Sequence, residues 1–132
     1  LETLQELREI FKGGTSVYWL THYVFGQPSP SHPKTLSQSS IDLLIINTVI
    51  PFLYAYGKHK GEERLCNRAS QLLEDLKPEN NYITRMWEEC GLKAAHAGDS
   101  QALIQLKKNY CDSKKCLYCR IGYEYFKKEQ KE

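Results

Sequence analysis

Cys111, Cys116 and Cys119 fall in a C-x4-C-x2-C arrangement between one predicted helix and the next. Thiolates are soft ligands, so the chemistry such a set offers is a structural zinc or an iron–sulfur cluster. Two cysteines three apart at a helix start can face one point, and the partial positive charge of that helix end favours ionised sulfur. A closed shell needs a fourth ligand. Cys90 supplies one by residue type, and His96 is the alternative. The competing reading is plain packing: free cysteine is among the most buried residue types, and small thiols suit a helix–turn–helix junction. Both readings fit the spacing.

A second constellation overlaps the first. From Lys107 to the end, eight basic residues stand against four acidic ones, so this tail is positive while the remainder of the chain is slightly negative. Lys107, Lys108, Lys114, Lys115 and Arg120 alternate with Tyr110 and Tyr118, and Tyr123, Tyr125 and Phe126 follow. Lysines interleaved with aromatic rings can track a phosphate backbone and stack bases, which is the composition of a nucleic-acid contact. A solvated last helix has the same composition, because cations near a helix C-terminus are favoured by its dipole.

The elements that must position these residues read as helices almost throughout. Leu1, Leu4, Leu7 and Phe11 recur at helical spacing opposite Glu2, Glu6 and Glu9, and Gly13-Gly14 stops the segment. An aromatic stretch with Tyr18, Trp19, Tyr23 and Phe25 follows, then a Pro-rich surface loop over 26–38. His22 reads as a packing residue and His32 as an exposed one. Ser39 and Asp42 resemble a capping pair. Ile41 to Tyr56 is apolar nearly all round, which predicts a buried central helix, kinked near Pro51, with Ile45, Val49 and Leu53 inside. Asn47 and Thr48 can satisfy the carbonyl that Pro51 leaves without a donor. Gly57 to Gly61 reads as a turn.

Glu62 to Leu76 carries Leu65, Ala69, Leu72, Leu73 and Leu76 on one side, bordered by Cys66. Asn80 or Asn81 caps the next helix, whose stripe is Ile83, Met86, Trp87 and Cys90 before Gly91. Asp99 or Ser100 caps one carrying Ala102, Leu103, Leu106 and Tyr110. The last helix begins near Cys116 and frays over 127–132. The expected fold is therefore all-α: a single irregular helical bundle of about five to six helices around a buried central helix, in one domain spanning 1–132.

Composition narrows the function classes. With 132 residues, 41% hydrophobic and 26% charged, the chain belongs with globular domains large enough to hold a core without disulfides. Leu43 to Tyr56 is interrupted by polar residues and by Pro51 and reads as too short to span a bilayer, so the expected location is cytoplasmic with no membrane partner. The chain starts at Leu1 and its one methionine is Met86, which reads as a piece of a longer polypeptide. There is no Gly-rich phosphate loop, paired-histidine metal motif or nucleophile elbow, and no Ser–His–Asp, Cys–His or paired-carboxylate set at suggestive spacing.

The strings 18–23 (YWLTHY), 39–42 (SSID), 49–58 (VIPFLYAYGK), 77–81 (KPENN), 99–103 (DSQAL) and 110–122 (YCDSKKCLYCRIG) resemble the C-terminal part of an uncharacterised bacterial family, domain of unknown function 2851. The resemblance implies a longer protein whose N-terminal part carries acidic motifs similar to those of restriction-type nucleases. Nothing in these residues corresponds to those motifs. The expected function is thus a non-catalytic helical module, partnered by the rest of its own chain and clamped by a cysteine-held metal. The alternative is a nucleic-acid-contacting accessory domain that uses Lys107, Lys108, Lys114, Lys115 and Arg120.

Overall fold

Helices carry both halves of this chain, which a computed structural model describes over residues 3–129. They group into two units, Leu1–Leu72 and Leu73–Glu132. Leu1, Glu2 and residues 130–132, including Lys131 of the expected tail, lie outside the described residues.

In the first unit, α1 (Leu4–Phe11) starts at a reciprocal cap: Thr3 Oγ1 accepts from the Glu6 N–H and the Glu6 carboxylate accepts from the Thr3 N–H. It buries Leu7. Its Arg8 guanidinium donates two hydrogen bonds to Asp42, Nε to Oδ1 at 2.8 Å and a terminal nitrogen to Oδ2 at 2.9 Å, and this pairing holds Arg8 above its ordinary value. Asp42 thus serves a neighbouring helix, and it also accepts from the Gln38 side chain at the start of its own helix at 3.1 Å. The cap of α3 (Gln38–Leu44) is Ser37, whose hydroxyl accepts from the Ser40 N–H at 3.2 Å.

Between them, α2 (Val17–Leu20) leads into a small antiparallel pair, β1 (His22–Val24) and β2 (Gln27–Pro28), turned at Gly26 with φ +75°. Strands of three and two residues are too short to show alternation, which is why the sequence reads only as loop. The His22 ring stacks on Tyr18 at 4.0 Å, in keeping with a packing role. The proline-rich segment is tied back by the Ser29 and His32 N–H groups, which donate to the Thr21 and Leu20 carbonyls.

The expected buried central helix needs correction. Helix α3 continues through a π turn (Ile45–Val49) into α4 (Ile50–Lys60), giving 23 continuous helical residues from Gln38 to Lys60. Pro51 sits in the first turn of α4, and the one-residue insertion of the π turn accommodates it without ending the helix. Asn47 Nδ2 donates to the Leu43 carbonyl at 3.0 Å, one turn back on its own helix, and not to the carbonyl that lies four residues before Pro51. That extra residue also shifts the buried stripe. Ile41, Ile45, Ile46, Ile50 and Gly57 are buried, whereas Val49 and Leu53 are only half-buried and Leu43, Leu44, Phe52, Tyr54 and Tyr56 are exposed. The helix is apolar all round but covered on one side. By length and composition alone it is long and apolar enough to cross a membrane, contrary to the expectation from Leu43–Tyr56, and 28% of its most apolar window is buried. The anticipated turn at Gly57 is helical. A Cβ there would sit 2.9 Å from Leu65 Cβ and 3.0 Å from Cys66 Sγ, so only glycine permits the approach of α4 to α5 (Glu63–Asp75), and the chain turns instead at left-handed Gly61. Cys66, Ala69 and Leu72 form the buried side of α5.

In the second unit, α6 (Tyr82–Glu89) is capped by Asn81, whose Oδ1 accepts from the Ile83 and Thr84 N–H groups. Helix α7 (Ala97–Leu106) is capped by His96, not by Asp99 or Ser100. Ser100 is instead fully buried, donating to the Ala97 carbonyl at 2.9 Å and accepting from the Glu79 N–H at 3.1 Å. The Trp87 indole of α6 donates to the Leu103 carbonyl of α7 at 3.1 Å. A second π turn (Lys107–Cys111) extends α7, a short 3-10 turn (Cys116–Tyr118) follows, and α8 (Arg120–Glu129) begins four residues later than the sequence pattern places the last helix.

Candidate functional site

The chain reversal between Lys107 and Gly122 carries both sequence constellations. After the π turn, the Lys115 N–H donates to the Tyr110 carbonyl at 2.8 Å and the Lys114 N–H to the Cys111 carbonyl at 3.0 Å, with Lys114 at φ +53°. The 3-10 turn is closed by the Cys119 N–H to the Cys116 carbonyl at 3.2 Å, and the Tyr123 N–H then reaches the Cys119 carbonyl at 2.8 Å as α8 starts. Gly122 lies directly against Cys116: a Cβ at this position would overlap the Cys116 carbonyl oxygen. Backbone bonds and one close contact thus fix the reversal.

Two concavities lie along it, and Tyr110 lines both. The inner one, about 180 Å³, is apolar and is lined by Trp87, Leu106, Tyr110, Ile121 and the three cysteines Cys111, Cys116 and Cys119. Cys119 is buried and the other two are exposed. Partial desolvation, followed by the nearby Cys119, pushes the Cys111 thiol above its ordinary value. A raised value means less thiolate at neutral pH, which opposes metal ligation and alkylation alike. Alkylation of the Cys111 peptide by iodoacetamide, followed by mass spectrometry across a pH series, is expected to reach its midpoint at higher pH than a model peptide thiol. A lower midpoint would contradict this environment.

The trio therefore shares one pocket, as the spacing suggests, but the expected fourth ligands do not join it. Cys90 is the exposed C-terminal cap of α6 and does not line the pocket. His96 caps the opposite end of α7: at about 1.5 Å per residue the helical run to Cys111 separates them by roughly 20 Å. Its Nδ1 accepts from the Asp99 N–H at 3.4 Å. Among the described residues, no three His, Cys, Asp or Glu side chains are disposed to hold a metal ion.

The outer concavity is open, about 600 Å³, and lined by Lys108, Asn109, Tyr110, Ser113, Lys115 and Tyr118. Of the five cations singled out by the sequence, this geometry separates two from three. Lys107 is paired with the Asp112 carboxylate, and that hydrogen bond holds its ammonium above the ordinary value. Arg120 reaches Glu124 at 3.1 Å, one helical turn on. Lys114, in the left-handed conformation, does not line the concavity. Lys108 and Lys115 do, and among the described residues neither forms an ion pair. Tyr118 is 84% exposed at the rim. Asn109 and Ser113 escaped the sequence reading because single polar residues in a reversal have no spacing signal. Gly122 carried one, a glycine inside an otherwise helical aromatic run, which marks a close backbone approach.

A family model described as "Protein of unknown function (DUF2851)" matches residues 1–82, which leaves the strings at 99–103 and 110–122 beyond the matched region. No curated protein and no solved structure matches the chain.

Proposed function

This chain belongs to the family of proteins of unknown function DUF2851, and we propose that it is a non-catalytic helical module whose C-terminal unit contacts nucleic acid through the concavity between Lys108 and Lys115. The observation that carries this reading is the convergence of those two cations, with Tyr110 and Tyr118, on one open surface of about 600 Å³. Ammonium groups without a carboxylate partner attract phosphate, and aromatic rings beside them offer stacking faces. Among the described residues, what the lining offers a ligand is two ammonium groups, two phenol rings, one amide and one hydroxyl, a set suited to holding a polyanion.

Titration of labelled oligonucleotides at several salt concentrations tests the reading. Binding is expected to weaken steeply with salt, and the double variant Lys108→Gln/Lys115→Gln is expected to bind more weakly with a slope shallower by about two, one per lost phosphate contact. The control Lys93→Gln removes one positive charge away from the concavity, where Lys93 pairs with Glu88 at 3.3 Å, and should leave binding unchanged. Absence of binding at low salt, or equal loss in the control, would overturn it.

A further inference from the structure

The concavity distinguishes between forms of nucleic acid, and we infer that its ligand is a single strand, held by an unpaired base stacked on Tyr118 with the flanking phosphates at Lys108 and Lys115. This inference rests on the nucleic-acid reading of the same surface. Three observations carry it.

Tyr118 stands at the end of a 3-10 turn whose backbone is bonded on both sides, the Tyr118 N–H to the Lys115 carbonyl at 3.1 Å and the Cys119 N–H to the Cys116 carbonyl at 3.2 Å. The residue is nonetheless 84% exposed. With the backbone held, only the two side-chain torsions of a tyrosine remain to be ordered when a flat ligand covers the ring, a small cost for the area it offers. Tyr110 lines the same space from the π turn, half-buried and shared with the inner pocket, so the surface offers one ring at its rim and one in its wall.

The volume, about 600 Å³, lies in the range of concavities that enclose small-molecule-sized groups. A nucleotide fits that scale, whereas a double helix is far wider and can present only its backbone. In a duplex the base faces are covered by their stacked neighbours, so a duplex would use the two lysines and leave both rings idle. An acidic peptide would do the same. Only a strand with an accessible base engages cations and rings together, and stacking of this kind tolerates every base because each has a π-face. Asn109 and Ser113 add hydrogen-bonding groups in the lining beside Tyr110, where base edges would lie.

Fluorescence anisotropy with the full chain tests this, using a labelled oligothymidylate of about 12 nucleotides and a hairpin duplex of similar charge at the same salt. The single strand is expected to bind about tenfold or more tightly than the duplex. Tyr118→Ala is expected to abolish that preference while leaving duplex affinity unchanged, and Tyr118→Phe to retain it, because the ring rather than the hydroxyl stacks. The exposure of Tyr118 makes loss of fold an unsuitable explanation, and circular dichroism of each variant checks it. Equal affinity for both forms, or a silent Tyr118→Ala, overturns the inference. If Lys108→Gln/Lys115→Gln weakens both forms and Tyr118→Ala weakens neither, the polyanion reading stands and the single-strand assignment falls. If neither form binds at low salt, both fall.

Discussion

Ile45→Ala is expected to destabilise the first unit by about 2–5 kcal/mol, because it empties a fully covered site that the surrounding side chains can only partly refill. Ile45 has no exposed surface and lies at the first position of the π turn. Phe52→Ala, seven residues along the same helix, removes a larger side chain that is 71% exposed, and is expected to change stability by no more than about 0.5 kcal/mol. Urea titrations followed by circular dichroism measure both. The pair is informative because residue size and hydrophobicity alone predict the opposite order. Equal effects, or a greater loss for Phe52→Ala, would mean that the covered side of the Gln38–Lys60 helix has been assigned wrongly.

Gly122→Ala is expected to disrupt the C-terminal reversal. The new Cβ would occupy the position of the Cys116 carbonyl oxygen, and its neighbours in the contact are backbone atoms, which cannot swing aside as a flexible side chain would. Relief requires that α8 and the 3-10 turn move apart, at a cost in the upper part of the about 1–3 kcal/mol typical of overpacking, or beyond it. The movement would carry Tyr118 and Lys115 with it, so ligand binding at the outer concavity should fall together with stability. Ile121→Ala, next to it, is a control: Ile121 is 55% exposed and its truncation introduces no overlap. Thermal unfolding monitored by tyrosine fluorescence checks the first effect and oligonucleotide anisotropy the second. A Gly122→Ala variant that melts and binds as the parent does would show that the two segments do not meet closely.

These expectations depend on features of unequal legibility. Amino-acid order alone determined the helical class, the extents of α1, α5 and α6 to within a few residues, a cap at Asn80 or Asn81, of which the structure uses Asn81, and the burial of Cys66, Ala69 and Leu72. Each of these rests on interactions between residues one or two turns apart, whose period is written directly in the sequence. The density of cations, tyrosines and thiols after Lys107 was equally plain, since composition needs no fold.

Only the tertiary structure decided register and partnership. The π turn at Ile45–Val49 adds one residue, so the stripe projected as Ile45, Val49 and Leu53 emerges as Ile45, Ile46 and Ile50. No local pattern announces where a helix absorbs such an insertion, because packing against other elements selects it. Asp42 has the composition of a cap and is taken by Arg8, thirty-four positions away. Lys107 and Arg120 carry the same charge as Lys108 and Lys115, yet they face Asp112 and Glu124 while the other two line the open concavity. His96 was eligible as a ligand by residue type and serves as a helix cap, because the helix it starts carries Cys111 to the far end. Residue type sets which interactions a side chain is able to make; the path of the backbone between distant positions sets which one it makes.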